Sequence, residues 1–328
     1  MFNYNVLIFT IFMSFFLFMP SFANAQFSFT ITSEQRNYAG PWAYSPSYFR
    51  GVVEAIQNKG GGAFMISVGD IDPPAASKWT IEQVLGKNYI WYPVVGNHEL
   101  PGNGNEVYYG SNIEWLRVYN YDANGSGTQP DIVNTGPSGC PETTYSFDYD
   151  NAHFVVVNDY CDNDGDNVTD GDITDHLYNW LANDLAATNK EHIFVIGHEP
   201  AYPQPDADNG RARHMDNGLN AYPANRDRFW NLLKKAGVVA YICGHTHNYS
   251  IVKIDGVWQI DSGHARGQGD IGAPSTFLII HVNGGTVEFK AYRDTHDEVY
   301  DYIDIIHSGI LTYKIKAMPW IPLLLFED

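Results

Sequence analysis

Short apolar runs and amphipathic stretches alternate along the chain from Phe27 to Tyr292. Phe27 to Thr32, Ala63 to Val68, Tyr89 to Val95, His192 to Ile196 and Val238 to Cys243 read as strands. Thr143 to Tyr149 and His153 to Asp159 read as two more, joined by a two-residue turn at Asp150-Asn151. Tyr249 to Ile254, Val257 to Asp261, Thr276 to Val282 and Thr286 to Tyr292 complete the set. Helices are expected over Pro46 to Asn58, Ile81 to Leu85, Asp175 to Ala187 and Asn225 to Lys235; in the third, Leu177, Trp180, Leu181 and Leu185 recur at helical spacing. With no internal repeat and no low-complexity linker, the pattern predicts one α/β domain built on one or two mixed sheets.

The two ends change the picture. Residues 1–25 read as a secretory signal: Val6 to Met19 is apolar but short for a bilayer, and Ala23-Asn24-Ala25 supplies a small-x-small cleavage pattern. No Lys or Arg precedes the apolar run. The expected organisation is a signal over 1–25, a domain over 26–310 and a tail over 311–328. The expected location is secreted, extracellular or periplasmic, with no stable membrane insertion after cleavage.

The formal net charge of the 328 residues is −19, none of it in residues 1–25. Such a surface repels nucleic acid and anionic membranes, so neither is an expected partner. Among three cysteines, counting outward from the Asp150-Asn151 turn places Cys140 opposite Cys161. Directly opposed residues of an antiparallel pair lie within disulfide reach, and export would permit oxidation. Cys243, inside an apolar strand, reads as a buried small hydrophobe.

Four apolar strands end alike, in a glycine followed by side chains that bind metals. Val68 leads into Gly69-Asp70, Val95 into Gly96-Asn97-His98-Glu99, Ile196 into Gly197-His198-Glu199, and Cys243 into Gly244-His245-Thr246-His247. Glycine lets the chain turn sharply off a sheet, and functional groups collect at the carboxyl ends of strands in α/β folds. A carboxylate, an amide oxygen and three imidazoles suit one or two transition metal ions, zinc, iron or manganese, better than calcium.

This ordered set resembles the calcineurin-like metallophosphoesterase superfamily, which includes purple acid phosphatases. The resemblance spans roughly residues 27–292. It implies two mixed sheets packed as a sandwich and flanked by helices, and metal-dependent hydrolysis of a small phosphorylated substrate, a monoester or diester. It further implies that Asp70 bridges two metals, that Asn97, His198 and His245 complete one site, and that His247 binds the other metal. His98 would contact the phosphate and protonate the leaving group. The first motif departs from the family's Asp-x-His: Glu34-Gln35-Arg36 stands there, and Pro73 occupies the place of the purple-acid-phosphatase tyrosine. Glu34 could still offer a carboxylate. Arg36 cannot ligate, being always protonated. Either Arg36 replaces some of the metal's charge and grips phosphate directly, or only one metal is held. The rival reading is a secreted ligand-binding protein on a phosphoesterase scaffold with little activity.

Further substrate-contact candidates are Arg211, Arg213 and His214 in the loop from Pro200 to Pro223, and His264 and Arg266 after the Val257–Asp261 strand. Asp162 to Asp172 has the composition of a calcium loop but fails the EF-hand pattern at Asn167 and Ile173, so a structural calcium is a subsidiary expectation. Asn124-Gly-Ser126 and Asn167-Val-Thr169 fit the glycosylation acceptor pattern.

Overall fold

The computed structural model describes residues 26–36, 47–101, 111–121, 132–161, 171–267, 274–294 and 305–313. The expected signal, the two glycosylation patterns, most of the acidic loop and the tail beyond residue 313 lie outside those residues.

Thirteen strands form two mixed sheets among the described residues. The first has the order β13-β12-β11-β1-β2-β3, from β1 (Gln26–Thr32), β2 (Phe64–Ser67), β3 (Ile90–Pro93), β11 (Thr276–Asn283), β12 (Thr286–Arg293) and β13 (Ile305–Tyr313). The second has the order β4-β5-β6-β7-β8-β10-β9, from β4 (Asn134–Thr135), β5 (Tyr145–Tyr149), β6 (Ala152–Val156), β7 (His192–Ile196), β8 (Ala240–Cys243), β9 (Tyr249–Ile254) and β10 (Val257–Ser262). Strands β1, β2 and β3 run parallel, as do β6, β7, β8 and β10. The chain therefore leaves each of these strands at the same end as its parallel neighbours.

The inner faces meet over an aromatic core. Phe29 and Phe64 of the first sheet stack at 5.3 Å between ring centroids, and Phe29 meets Phe154 of the second edge-on at 5.0 Å. Phe154 stacks on Phe194 at 5.2 Å, and Tyr92 lies face to face on Phe147 at 3.5 Å. Each buried ring contributes about 1.5–3 kcal/mol, which makes this seam the main tie between the sheets.

Helices α1 (Phe49–Asn58), α2 (Pro74–Leu85) and α3 (Asn112–Tyr121) flank the first sheet. Helices α4 (Asp175–Ala187) and α5 (Pro223–Ala236) cover the second, burying Leu177, Leu181, Phe229, Trp230 and Leu233 against Val195 and Tyr241. The architecture is the expected sandwich, with local departures from the sequence reading. Helix α2 begins at Pro74, not Ile81, because proline at the first helical position loses an N–H that would be unpaired anyway. Helix α3 was not anticipated. Strand β13 runs through the boundary expected at residue 310: Thr312 pairs with Val287, and Leu311 is buried in the core.

The hairpin has the register counted from its turn, Tyr149 opposite Ala152 and Tyr145 opposite Val156. Beyond the ladder's end Cys140 and Cys161 form a disulfide, with Cα atoms 5.8 Å apart. Cys243 is a buried free thiol.

Candidate functional site

The parallel ends of both sheets converge on one point. Glu34 follows β1, Asp70 follows β2, Asn97 and His98 follow β3, His198 follows β7, and His245 and His247 follow β8. The closeness depends on glycine at two turns. A Cβ on Gly69, at φ +81°, would lie 2.3 Å from His198 Nδ1. A Cβ on Gly96 would lie 2.4 Å from the Asp70 nitrogen and 2.5 Å from Oδ1 of Asp70. Neither position has room for a side chain.

Backbone conformation adds a second constraint. Glu34 (φ 52°), Asp70 (φ 52°), His245 (φ 69°), His247 (φ 58°) and His214 (φ 50°) all occupy the left-handed region, uncommon for residues other than glycine. Each costs of order 1 kcal/mol or more, which the surrounding packing holds in place. Such strain clusters where side chains must be aimed rather than merely packed.

His198 is fully buried. Its Nδ1 is 2.8 Å from the Val68 carbonyl oxygen, which as an acceptor fixes the proton on Nδ1 and leaves Nε2 with its lone pair. That Nε2 lies 3.6 Å from Oε1 of Glu34 and 3.6 Å from Oδ1 of Asp70. Ligands at about 2.1 Å from one cation stand about 3.0–3.5 Å apart, so this spacing is close to a coordination sphere. Two clusters have ligand atoms within 4.8 Å of one another: Glu34, Asp70 and His198, and His198, Glu199 and His245. They share His198.

The decisive observation concerns unused atoms. Asn97 Oδ1, His198 Nε2, His245 Nε2 and Glu199 Oε2 are buried and make no hydrogen bond to protein. Buried polar atoms normally have partners, and four together mark a place where something else supplies them. Burial, with His198 beside it, lowers the His245 pKa well below the usual histidine value. A neutral imidazole is the metal-binding form. The donor set thus fits a transition metal ion.

Outer groups aim the inner ones. Glu99 accepts backbone N–H bonds from Asp70 (2.9 Å), Ile71 (2.8 Å) and Gly96 (2.7 Å), tying the β2 and β3 turns together. Asp159 does the same after β6, its Oδ2 accepting the N–H groups of His198 (2.7 Å) and Glu199 (2.8 Å). Burial pushes Asp159 up to about 7. Tyr160 donates to Oε1 of Glu199. Asp261 accepts from the Thr246 hydroxyl at 2.5 Å, steadying the turn between His245 and His247.

Glu34 occupies the centre of the altered motif. Its Oε1 accepts the His245 N–H at 2.8 Å, and its Oε2 lies 2.7 Å from His247 Nε2. Burial raises its pKa, but the charges of His247, His198 and Arg266 outweigh that and hold it well below the usual carboxylate value. Asp70 is shifted the other way, up, by burial and by the neighbouring charge of Glu34.

The remaining sequence candidates gather around this centre. His98 donates its N–H to Asp70 Oδ1 (3.0 Å), while its partly exposed ring holds Nε2 3.7 Å from Asp70 Oδ2. Arg36 Nη1 stands 3.8 Å from Asp70 Oδ2. The His214 ring is 5.0 Å from that of His245 and 5.8 Å from that of His247, and burial with the Arg213 charge lowers its pKa to about 4. Arg211 and Arg213 reach Asn248, by a side-chain bond at 3.4 Å and by the Arg213 carbonyl at 3.3 Å. Arg266 is buried, with Nη2 3.1 Å and 3.4 Å from the two ring nitrogens of His247. His264 is fully buried, 6.3 Å from the His247 ring. Both side chains are buried beside His247.

The sequence pattern assigned no site role to Asp159 and no anchoring role to Glu99. Asp159 carried the same signal as Asp70, an acidic residue at the end of an apolar strand, and Glu99 stood inside a quoted motif.

A family model described as calcineurin-like phosphoesterase matches residues 42–249, more than half of the chain. The chain belongs to that family. No curated protein sequence matches it. Among solved structures it is similar to GAP50, described as the anchor in the inner membrane complex of Plasmodium, with TM-score 0.58, 16% identity, and 89% of this chain and 90% of that one covered. It is also similar to PhoD, with TM-score 0.52, 13% identity, and 88% and 68% covered. At these identities the likeness concerns the fold.

Proposed function

We propose that the chain is an exported, metal-dependent phosphoesterase acting on a small phosphate monoester or diester. The carrying observation is the set of buried, unused ligand atoms of Asn97, His198 and His245 beside the carboxylates of Asp70 and Glu34. The mixture of imidazole, amide and carboxylate donors favours zinc, iron or manganese. A bound cation supplies positive charge to the phosphate and lowers the pKa of water.

The chain's own residues then have distinct roles. Asp70, Asn97, His198 and His245 hold the cation, with Glu34 beside them. His98, partly open to solvent and oriented through Asp70, gives a proton to the departing alkoxide oxygen, a poor leaving group without it. Arg36 presents a guanidinium at the same mouth and grips phosphate oxygens. The loop bearing Arg211, Arg213 and His214 narrows the entrance over His245 and His247. Substrate attraction is local, because the net charge of −19 opposes any anion at long range. The Cys140–Cys161 disulfide supports folding in an oxidising compartment.

Arg36 at a position where the resemblance implies a histidine ligand favours a second reading, a phosphate-binding protein with little turnover. Both readings are tested with purified chain, zinc or manganese, and an aryl phosphate monoester and diester. Metal-dependent release of the phenol that falls at least tenfold in His98→Asn, with metal content retained, supports catalysis. Metal-dependent phosphate binding without release supports the second reading. Activity indifferent to both metal and His98 would exclude the first.

A further inference from the structure

Resting on the phosphoesterase reading, we propose that the site holds a single metal ion, centred on His198, and that the Arg36 and Arg266 guanidiniums replace a second. The observations divide the site into two unlike halves. On one side stand the unused atoms Asn97 Oδ1, His198 Nε2, His245 Nε2 and Glu199 Oε2. Both clusters of closely spaced ligand atoms among the described residues include His198, and neither includes His247.

On the other side the ligand set is incomplete and the space is already positive. The first motif offers Glu34 but puts Arg36 where the resemblance implies a second ligand. Arg36 Nη1 lies 3.8 Å from Oδ2 of Asp70, the oxygen a bridging carboxylate would turn to a second ion. Arg266 Nη2 lies 3.1 Å from Nδ1 and 3.4 Å from Nε2 of His247, and its Nε donates to the Glu34 carbonyl at 3.3 Å. A guanidinium has no lone pair to give and stays protonated, so it covers the ring atoms through which His247 would bind and repels a divalent ion. Glu34 spans the two halves: its Oε1 lies 3.6 Å from His198 Nε2, while its Oε2 stands 2.7 Å from His247 Nε2 and occupies the approach to that ring nitrogen. Two fixed guanidinium charges then stand where a second cation would neutralise phosphate, offering planar donors instead of an exchangeable coordination position.

The test is metal stoichiometry by elemental mass spectrometry, after chelation, reloading with excess zinc and desalting. The unsubstituted chain should retain about one zinc. His198→Ala should lose it, whereas His247→Ala should keep it. The double variant Arg36→His with Arg266→Gln should rise towards two. Two zinc ions in the unsubstituted chain would overturn this inference and leave the phosphoesterase reading standing. None would end both. A folded double variant, verified by circular dichroism, that stays at one would show that the arginines do not exclude the second ion. Loss of zinc from His247→Ala with retention in His198→Ala would overturn the assignment even if the double variant failed to fold.

Discussion

Glu99 Oε2 accepts the backbone N–H of Asp70 at 2.9 Å, although the two residues leave different strands. The same carboxylate holds the N–H groups of Ile71 and Gly96, so one side chain closes the two turns that present Asp70, Asn97 and His98. Glu99→Ala would leave three buried N–H groups without acceptors, at about 1–3 kcal/mol each. The expected outcome is a marked fall in melting temperature and metal affinity reduced about 10–100-fold, the usual cost of losing a group that orients ligands. Unchanged zinc affinity by isothermal titration would show that the turns hold themselves.

Gly96→Ala should be more damaging than its one added methyl implies. The new Cβ would meet the Asp70 backbone and carboxylate at 2.4 and 2.5 Å and His198 Cε1 at 3.0 Å. None of these is the free end of a flexible side chain, so Asp70 and His198 must separate. Retained metal should drop by at least tenfold in affinity, while far-ultraviolet circular dichroism stays unchanged. A variant with full metal content would contradict the packing described here.

A buried ion pair fixes the loop over the site. Arg293 of β12 meets Asp206 through two bonds, Nη1 to Oδ1 at 2.8 Å and Nη2 to Oδ2 at 2.6 Å, and both side chains are essentially inaccessible. Asp206→Ala removes the nearer carboxylate from a buried guanidinium and leaves it Asp208 at 3.3 Å and the Thr276 hydroxyl at 2.9 Å. The loss should therefore fall at or below the roughly 3–5 kcal/mol of breaking a buried pair outright. Urea denaturation should register that loss. Hydrogen exchange should also speed at the Ala207 amide, which bonds to the Tyr249 carbonyl at 2.8 Å. Protection of that amide at its original level would detach the ion pair from the loop's position.

The His153 cluster, away from the site, gives stability a pH dependence. Nδ1 contacts Asp148 at 2.7 Å and Nε2 contacts Asp184 at 2.9 Å. Burial opposes a charge on His153, but the bonds to Asp184 and Asp148 outweigh it and raise the pKa above 6.5. Burial likewise opposes ionised Asp184, yet His153, Asn134 and Ser146 hold its pKa below 3.8. The histidine's contribution is complete below about 6.5 and fades as pH rises through its raised value. The aspartate's is complete above about 3.8 and fades as pH falls through its lowered value. The melting-temperature gap between the unsubstituted chain and His153→Gln should therefore be widest between about pH 4 and 6.5. A gap independent of pH would refute the pairing.

Reduction of the Cys140–Cys161 bond releases a loop of sequence separation 21. Chain entropy puts its contribution at about 3 kcal/mol. Cys140→Ser should unfold at correspondingly lower urea concentration, and added reductant should not destabilise it further. Equal stability of the oxidised and reduced chains would contradict that role.

The sandwich and the convergence of ligands were legible because both follow from local chemistry. Apolar runs of strand length define the sheets, and a glycine with a ligand after each run marks the shared edge. Counting from Asp150-Asn151 yielded the hairpin register, since antiparallel pairing is set by its turn. Helix α3 and strand β13 escaped because their burial depends on partners remote in sequence, such as Trp91 against Tyr119 and β12 against β13. The left-handed backbone at Glu34, Asp70, His245 and His247 has no composition signal at all. Nor could spacing reveal that Arg266 covers His247 while the buried His198 Nε2 keeps no hydrogen bond, which is a matter of side-chain direction.

The most direct test of the central claim is anomalous diffraction from crystals grown with zinc, recorded at the zinc edge. The expected result is a peak about 2.0–2.2 Å from His198 Nε2, with its other ligands drawn from Glu34, Asp70, Asn97, Glu199 and His245. Crystals with zinc in the medium but no peak among these side chains, or with one only at surface carboxylates, would contradict it.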